Sequence, residues 1–225
     1  MKRFSKVWII YHAVNNPLSQ WVYSSKSLLL MIHDGIGIAC DATFAKFSIN
    51  NHSDLMLFET TERWHDRKLF IASAKERIQL GQNCVTLAED GRLAFVGWLA
   101  PGSKRSHFGY VRQTVDYPPQ TATEYSVYVH PEFRGRGIFS SGLKAVVRFA
   151  FENSEVSLLV GAVESVNRAA LRGHLNAGFE QLARLSTKCV LGKRRYELCT
   201  HPACIGYRLE AQERGSWILM RQQST

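Results

Sequence analysis

Between residues 124 and 151 the side-chain pattern changes its period across a turn of glycine and arginine. Residues 124–129 are β-branched and aromatic, as a strand requires, and His130-Pro131 ends them. Leu143, Val146, Val147 and Phe149-Ala150-Phe151 then recur at helical spacing. The link between the two is Arg134-Gly135-Arg136-Gly137, with Ile138 and Phe139 opening the helix. A strand, a glycine-bearing turn and an amphipathic helix in that order direct several unpaired backbone N–H groups and the positive end of a helix dipole at one spot. Gly135 and Gly137 let the backbone approach a ligand with no Cβ in the way, and Arg134 and Arg136 add charge that persists at any working pH. The pattern predicts an anion cradle that suits a pyrophosphate.

The rest of the chain reads as an alternation of strands and helices, a mixed α/β architecture. Residues 84–88 and 93–99 flank Glu89-Asp90-Gly91-Arg92 and predict a hairpin closed by the Asp-Gly pair. Residues 62–80 predict a long helix carrying His65, with Gly81 at its C-cap. A short strand is expected over 43–49, and Ser53-Asp54 as the N-cap of the next turn. Residues 101–123, with Pro101-Gly102 and Pro118-Pro119, read as a substrate-shaping loop with one strand near 108–115. Another apolar strand is expected over 156–163, a helix over 167–176, and a strand leaving Gly178-Phe179 through residue 191. One or two edge strands complete the expectation up to residue 220. Residues 1–40 are expected to be an extension, with a helix and a strand packing on the core formed by 41–225; the strand within 28–40 ends in an Asp-Gly turn.

Lys and Arg outnumber Asp and Glu 28 to 19, a net charge of +9 that favours anionic partners. The charge is spread along the chain, and Lys104-Arg105 and Lys193-Arg194-Arg195 are too short to form a nucleic-acid patch. Five cysteines without a CxxC pair fit reduced thiols in a cytoplasmic chain, and Cys199, His201 and Cys204 are read as incidental rather than as metal ligands. The apolar runs at 7–11 and 28–40 are interrupted well short of the roughly 20 residues that cross a bilayer, so no transmembrane segment is expected.

Thirty positions after Gly137 comes Asn167-Arg168-Ala169-Ala170-Leu171-Arg172-Gly173-His174-Leu175-Asn176-Ala177-Gly178-Phe179. This stretch and the Arg134 turn together resemble the GNAT superfamily of N-acetyltransferases, whose cradle reads R/Q-x-x-G-x-G/A. Arg134 and Gly137 match that pattern, while Phe139 departs from it with a ring where the family has Gly or Ala. The resemblance is sharp over 124–179. It implies a central mixed sheet flanked by helices, with two parallel strands splaying into a wedge for acetyl-CoA and no metal. It also implies that Val127, Tyr128 and Val129 hold the pantetheine arm by backbone groups, one N–H polarising the thioester carbonyl. Asn167 takes the place of an asparagine that bonds the pantetheine region. Glu124, at the start of the cofactor strand, is the candidate base for the acceptor ammonium, acting directly or through water. His174 stands where relatives place a tyrosine that protonates the leaving thiolate. The expected acceptor is a small amine, an amino sugar or an amino acid derivative. Alternatives are a longer acyl group delivered by acyl-CoA or by an acidic acyl carrier protein, and a non-catalytic module that binds a ligand or nucleic acid; the retained Arg134 turn argues against the last.

Overall fold

The computed structural model describes residues 23–38, 42–63, 65–152, 155–202 and 206–222. The helix expected near the N-terminus falls outside these residues. In chain order the strands are β1 (Tyr23–His33), β2 (Ser48–Ile49), β3 (Asn83–Glu89), β4 (Arg92–Ala100), β5 (Arg105–Phe108), β6 (Gln113–Asp116), β7 (Thr121–Val129), β8 (Leu158–Glu164), β9 (Glu180–Val190), β10 (Lys193–Thr200), β11 (Tyr207–Glu213) and β12 (Ser216–Arg221). The helices are α1 (His52–Leu55), α2 (Arg67–Gln79), α3 (Ile138–Glu152) and α4 (Arg168–Asn176).

Eight strands form a mixed sheet in the order β10-β9-β1-β8-β7-β4-β3-β2, and four form a smaller sheet in the order β11-β12-β6-β5. Among the described residues of the large sheet only β7 and β8 run parallel. Helices α3 and α4 cover one face around Phe95, Leu143, Val146 and Phe179. On the other face, α1 and α2 cover β3 and β4 around Trp98, while the small sheet covers β1, β8 and β9 around Leu30, Val160 and Leu219.

Strand β1 is inserted between β8 and β9, where the sequence suggested a strand packing onto the sheet. Its side chains explain the insertion. Leu29 and Met31 join the core under α3, and Leu28, Leu30 and Ile32 join the core under the small sheet. A strand buried on both faces reads as an unbroken apolar run, and burying Leu30 and Met31 completely contributes about 1.5–3 kcal/mol each.

The hairpin β3–β4 turns through Asp90 and Gly91 at φ +52° and +71°, as an Asp-Gly turn should. Elsewhere local signals yielded to packing. The long helix begins at Arg67, because Asp66 accepts the N–H groups of Lys68 and Leu69 at 2.8 and 3.1 Å; His65 and Glu62 precede it. Residues 42–46 form a 3-10 turn that leaves a strand of only two residues, and the cap of α1 is Asn51, whose side chain accepts Ser53 N–H at 3.2 Å. The expected loop 101–123 holds a hairpin, β5–β6, and β6 pairs with β12 from the far end of the chain. Among the described residues no helix is long and apolar enough to cross a membrane.

Candidate active site

The site begins where β7 and β8 part. Their pairing runs only through Thr121, Ala122 and Thr123 against Leu158, Leu159 and Val160. At Ser126 the backbone adopts φ +50°, and Ser126 and Val127 together oppose the single residue Gly97 on β4. This bulge bends β7 away from β8 and releases its backbone groups. The wedge opens into a cleft of about 900 Å³ whose walls include Val127, Tyr128, Val129, Gly135, Gly137, Ile138, Phe139 and Asn167. Arg134 lines it as well. Arg136 does not: its guanidinium lies 5.1 Å from the Phe133 ring centroid, outside the cleft walls.

The cradle has the geometry its residues suggest. Gly135 and Gly137 take φ +79° and +75°, which side chains resist, and no atom lies within 4 Å of where a Cβ would stand on either. The first helical bond at this end is donated by Ser141 N–H to the Gly137 carbonyl at 3.1 Å, so the N–H groups of Ile138, Phe139 and Ser140 precede the internal ladder. Ser141 Oγ bonds the same carbonyl at 3.1 Å and so serves the helix. Arg134 donates to both carboxylate oxygens of Glu62 at 3.0 and 3.3 Å and to the Val129 carbonyl at 3.2 Å. That guanidinium holds the Glu62 carboxyl below the usual range. Glu62 and His65 therefore form the rim opposite α4, with His65 3.4 Å from Glu62 and its ring 5.4 Å from Tyr128. Burial raises the Tyr128 phenol.

Phe139 answers the departure from the family pattern. Its ring lies against α4 at Gly173, where a Cβ would sit 2.1 Å from it, and 5.7 Å from the His174 ring. The bulk is taken up by a glycine on the neighbouring helix, and the ring forms part of the cleft wall. Asn167 caps α4 by accepting Ala170 N–H at 3.0 Å, so its amide N–H groups are what it can offer a ligand.

Glu124 and His174 meet each other beneath the wedge, at 4% and 3% exposure, and neither lines the cleft. Glu124 Oε1 is 2.7 Å from His174 Nε2, and His174 Nδ1 is 2.8 Å from the Ala170 carbonyl. A carbonyl only accepts, so Nδ1 carries a proton and one further proton is shared between Nε2 and Oε1. Desolvation by burial opposes the imidazolium, but the Glu124 hydrogen bond and charge, with the Ala170 carbonyl, outweigh it and lift His174 above its ordinary value. Glu124 Oε2 is buried and has no hydrogen-bond partner among the described residues. The pair exists because Gly161 on β8 leaves room for it: a Cβ there would stand 2.1 Å from Oε1. A glycine inside the run Leu159-Val160-Gly161-Ala162-Val163 is the sequence signal for this close approach. Gly161→Ala is expected to cost about 1–3 kcal/mol by overpacking, measured by urea unfolding, because His174 holds the carboxyl that would have to yield. An unchanged midpoint would show that the carboxyl moves freely.

On the opposite face, a second cavity of about 280 Å³ lies between β8 at Ala162–Glu164 and the turn of the small sheet at His107–Tyr110. Leu28 and Phe108 give it apolar walls.

Comparison with known proteins identifies the family. A family model described as the acetyltransferase (GNAT) family matches residues 49–179. The L-methionine sulfoximine/L-methionine sulfone acetyltransferase of Salmonella typhimurium is 32% identical over 143 residues, 61% of this chain and 74% of that protein. The L-amino acid N-acyltransferase MnaT of Escherichia coli is 31% identical over 149 residues, 62% of this chain and 77% of that protein. A GNAT-family acetyltransferase from Colwellia psychrerythraea shares the fold at a TM-score of 0.52 and 15% identity, covering 80% of this chain and 57% of its own. Since the family match spans 49–179, more than half of the chain and including the bulged strand, the cradle and α4, this chain belongs to the GNAT family and is an acetyltransferase.

Proposed function

We propose that the protein transfers an acetyl group from acetyl-CoA to the amine of a small amino-acid-type acceptor. The observation that carries the reading is the parting of β7 and β8 after Thr123 and Val160, which opens a cleft walled by the cradle, with Glu124 buried beneath the fork. The two relatives above are both named for amino acid acceptors, which favours an amino acid over an amino sugar.

The residues present fit acetyl-CoA. Gly135 and Gly137 leave the cradle open, and the free N–H groups of the first α3 turn suit a pyrophosphate. Val127, Tyr128 and Val129, unpaired on the β8 side, offer backbone groups to an extended arm, and Asn167 offers its amide. When bound, acetyl-CoA supplies an activated acetyl thioester. A backbone N–H beyond the bulge would polarise the thioester carbonyl; the acceptor nitrogen would form the C–N bond as the C–S bond breaks, and the departing thiolate would take up the second proton that the nitrogen sheds. Glu124, buried beneath the cleft, serves as the base through Oε2 by way of water, while its other oxygen stays on His174. His174, with both ring nitrogens engaged, acts as a positioning residue and does not itself reach the thiolate. The acceptor side chain occupies the cavity between β8 and the His107–Tyr110 turn.

The test is calorimetric titration with acetyl-CoA, CoA and a long-chain acyl-CoA, followed by thiol release with L-amino acids and amino sugars. Acetyl-CoA binding with turnover of amino acids is expected. Preference for the long chain would replace the acetyl reading by the acyl one. Absence of binding to all three would overturn it.

A further inference from the structure

Strand β10 opens with Lys193, Arg194 and Arg195, a basic run too short to act alone, and the fold brings a further arginine to it. Arg214, in the turn between β11 and β12, donates through Nη2 to the Arg194 carbonyl. A cavity of about 380 Å³ lies between this edge of the large sheet and that turn, and none of its residues lines the cofactor cleft. Arg194, Arg195 and Arg214 all line it. Among the described residues none of the three forms an ion pair, whereas Arg92, Arg105, Arg134, Arg148 and Arg208 each sit on a carboxylate. Two rings complete the walls. Gly215 takes φ +77°, and a Cβ on it would stand 3.3 Å from the Tyr196 ring, so a glycine lets the turn close down on the tyrosine. Trp217 is half-buried, and its Nε1 donates to Gln113 Oε1 at 2.7 Å, which fixes the indole.

Charge on an edge strand deters pairing with other chains, and Lys193 and Arg195 suffice for that. Such a guard calls for neither an arginine from the other sheet nor aromatic walls. Guanidinium groups without carboxylates form forks for phosphate oxygens, and rings beside them offer surfaces on which a base can stack. Size points the same way, because the cavity is at the small end of the roughly 300–1,000 Å³ of ligand pockets and suits one nucleotide rather than a strand. No basic track leads out of it: farther along β10, Glu197 holds Lys188 at 2.9 Å, and on β11 Glu210 holds Arg208 at 2.7 Å. We propose that this cavity binds a nucleoside phosphate, with Arg194 and Arg214 on the phosphate and Trp217 against the base. Glu213 lines the cavity without pairing with any of the three arginines, and supplies an acceptor for ribose hydroxyls. The assignment is independent of the amino-acid reading above.

The experiment is calorimetric titration of the full chain with ADP, adenosine, inorganic phosphate and a short oligouridylate. ADP can also enter the cradle, so the titrations are run on Gly137→Glu, in which that site is impaired, as well as on the parent. ADP is expected to bind Gly137→Glu at one site, and adding Arg214→Gln should weaken it by about 10- to 100-fold, the loss of a charge-assisted pair. In the parent the same substitution should remove one of two ADP sites and leave acetyl-CoA affinity at the cradle unchanged. Adenosine and phosphate should each bind at least about tenfold more weakly than ADP, since each lacks half of the contacts. Arg194→Gln gives the same reading where the Arg214 variant fails to fold. Absence of ADP binding to folded Gly137→Glu, or binding that neither arginine substitution weakens, overturns the assignment. Phosphate binding as tight as that of ADP would reduce the cavity to an anion site, and tighter, steeply salt-dependent binding of the oligonucleotide would make it a nucleic-acid surface; either result overturns it as well.

Discussion

Gly137→Glu is expected to weaken acetyl-CoA binding at least about 100-fold, which corresponds to roughly 3 kcal/mol. Two effects act in the same direction. Gly137 has φ +75°, a conformation that costs other residues about 1–2 kcal/mol. The new carboxylate would also stand in open space at the cradle, where the proposed function puts the pyrophosphate against the α3 N-terminus. Gly137→Ala separates these effects. No atom lies within 4 Å of its Cβ position, so it carries the backbone strain without the charge and should lose no more than about tenfold. Calorimetry on the three proteins reads both numbers. Parent-like affinity in the glutamate variant would remove the cofactor from the cradle and take the proposed chemistry with it.

Glu124→Ala is expected to lower the unfolding free energy by about 3–5 kcal/mol, since it strands a buried imidazole that has lost its partner. For a chain of this size that corresponds to a fall in Tm of roughly 10 °C. The loss has a pH signature. His174 is raised in the folded protein, so its contribution to stability is fully present below its unfolded value of about 6.5 and is lost as pH rises through its elevated folded value. The stability gap between parent and His174→Gln should therefore be widest in mild acid and narrow toward alkaline pH, as followed by thermal denaturation across that range. A gap independent of pH would mean that packing, and not the shared proton, holds the pair. Acetylation at a temperature where both proteins are folded distinguishes the two carboxylate oxygens. Glu124→Ala should abolish it, whereas His174→Gln, which can still donate to Oε1, should retain a measurable fraction.

Contiguous features of the site could be read in the sequence. The strand before His130, the turn at Arg134 and the helix after it are neighbours in the chain, and each carries its own local signal: β-branched residues, glycines at positive φ, a 3.6-residue apolar period. The Asp90-Gly91 hairpin was legible for the same reason. Pairings between distant residues were not. Nothing near Arg134 in sequence announces Glu62, and nothing near Glu124 announces that His174 will hold it rather than act apart from it. The glycines at 161 and 173 interrupt an apolar strand and a helix, but their purpose is a close approach by Glu124 and Phe139 from other elements.

Sequence alone determined the strand, turn and helix of the cradle and the type of fold around it, because those depend on short-range dihedral preferences and on which face of an element is apolar. Tertiary structure decided the order of the strands. It placed β1 between β8 and β9, outside the span that the family model matches, and built a second sheet by joining residues 113–116 to residues 216–221. Strand partners are chosen by burial of both faces and by backbone pairing across long stretches of chain, and neither is written in the strand itself.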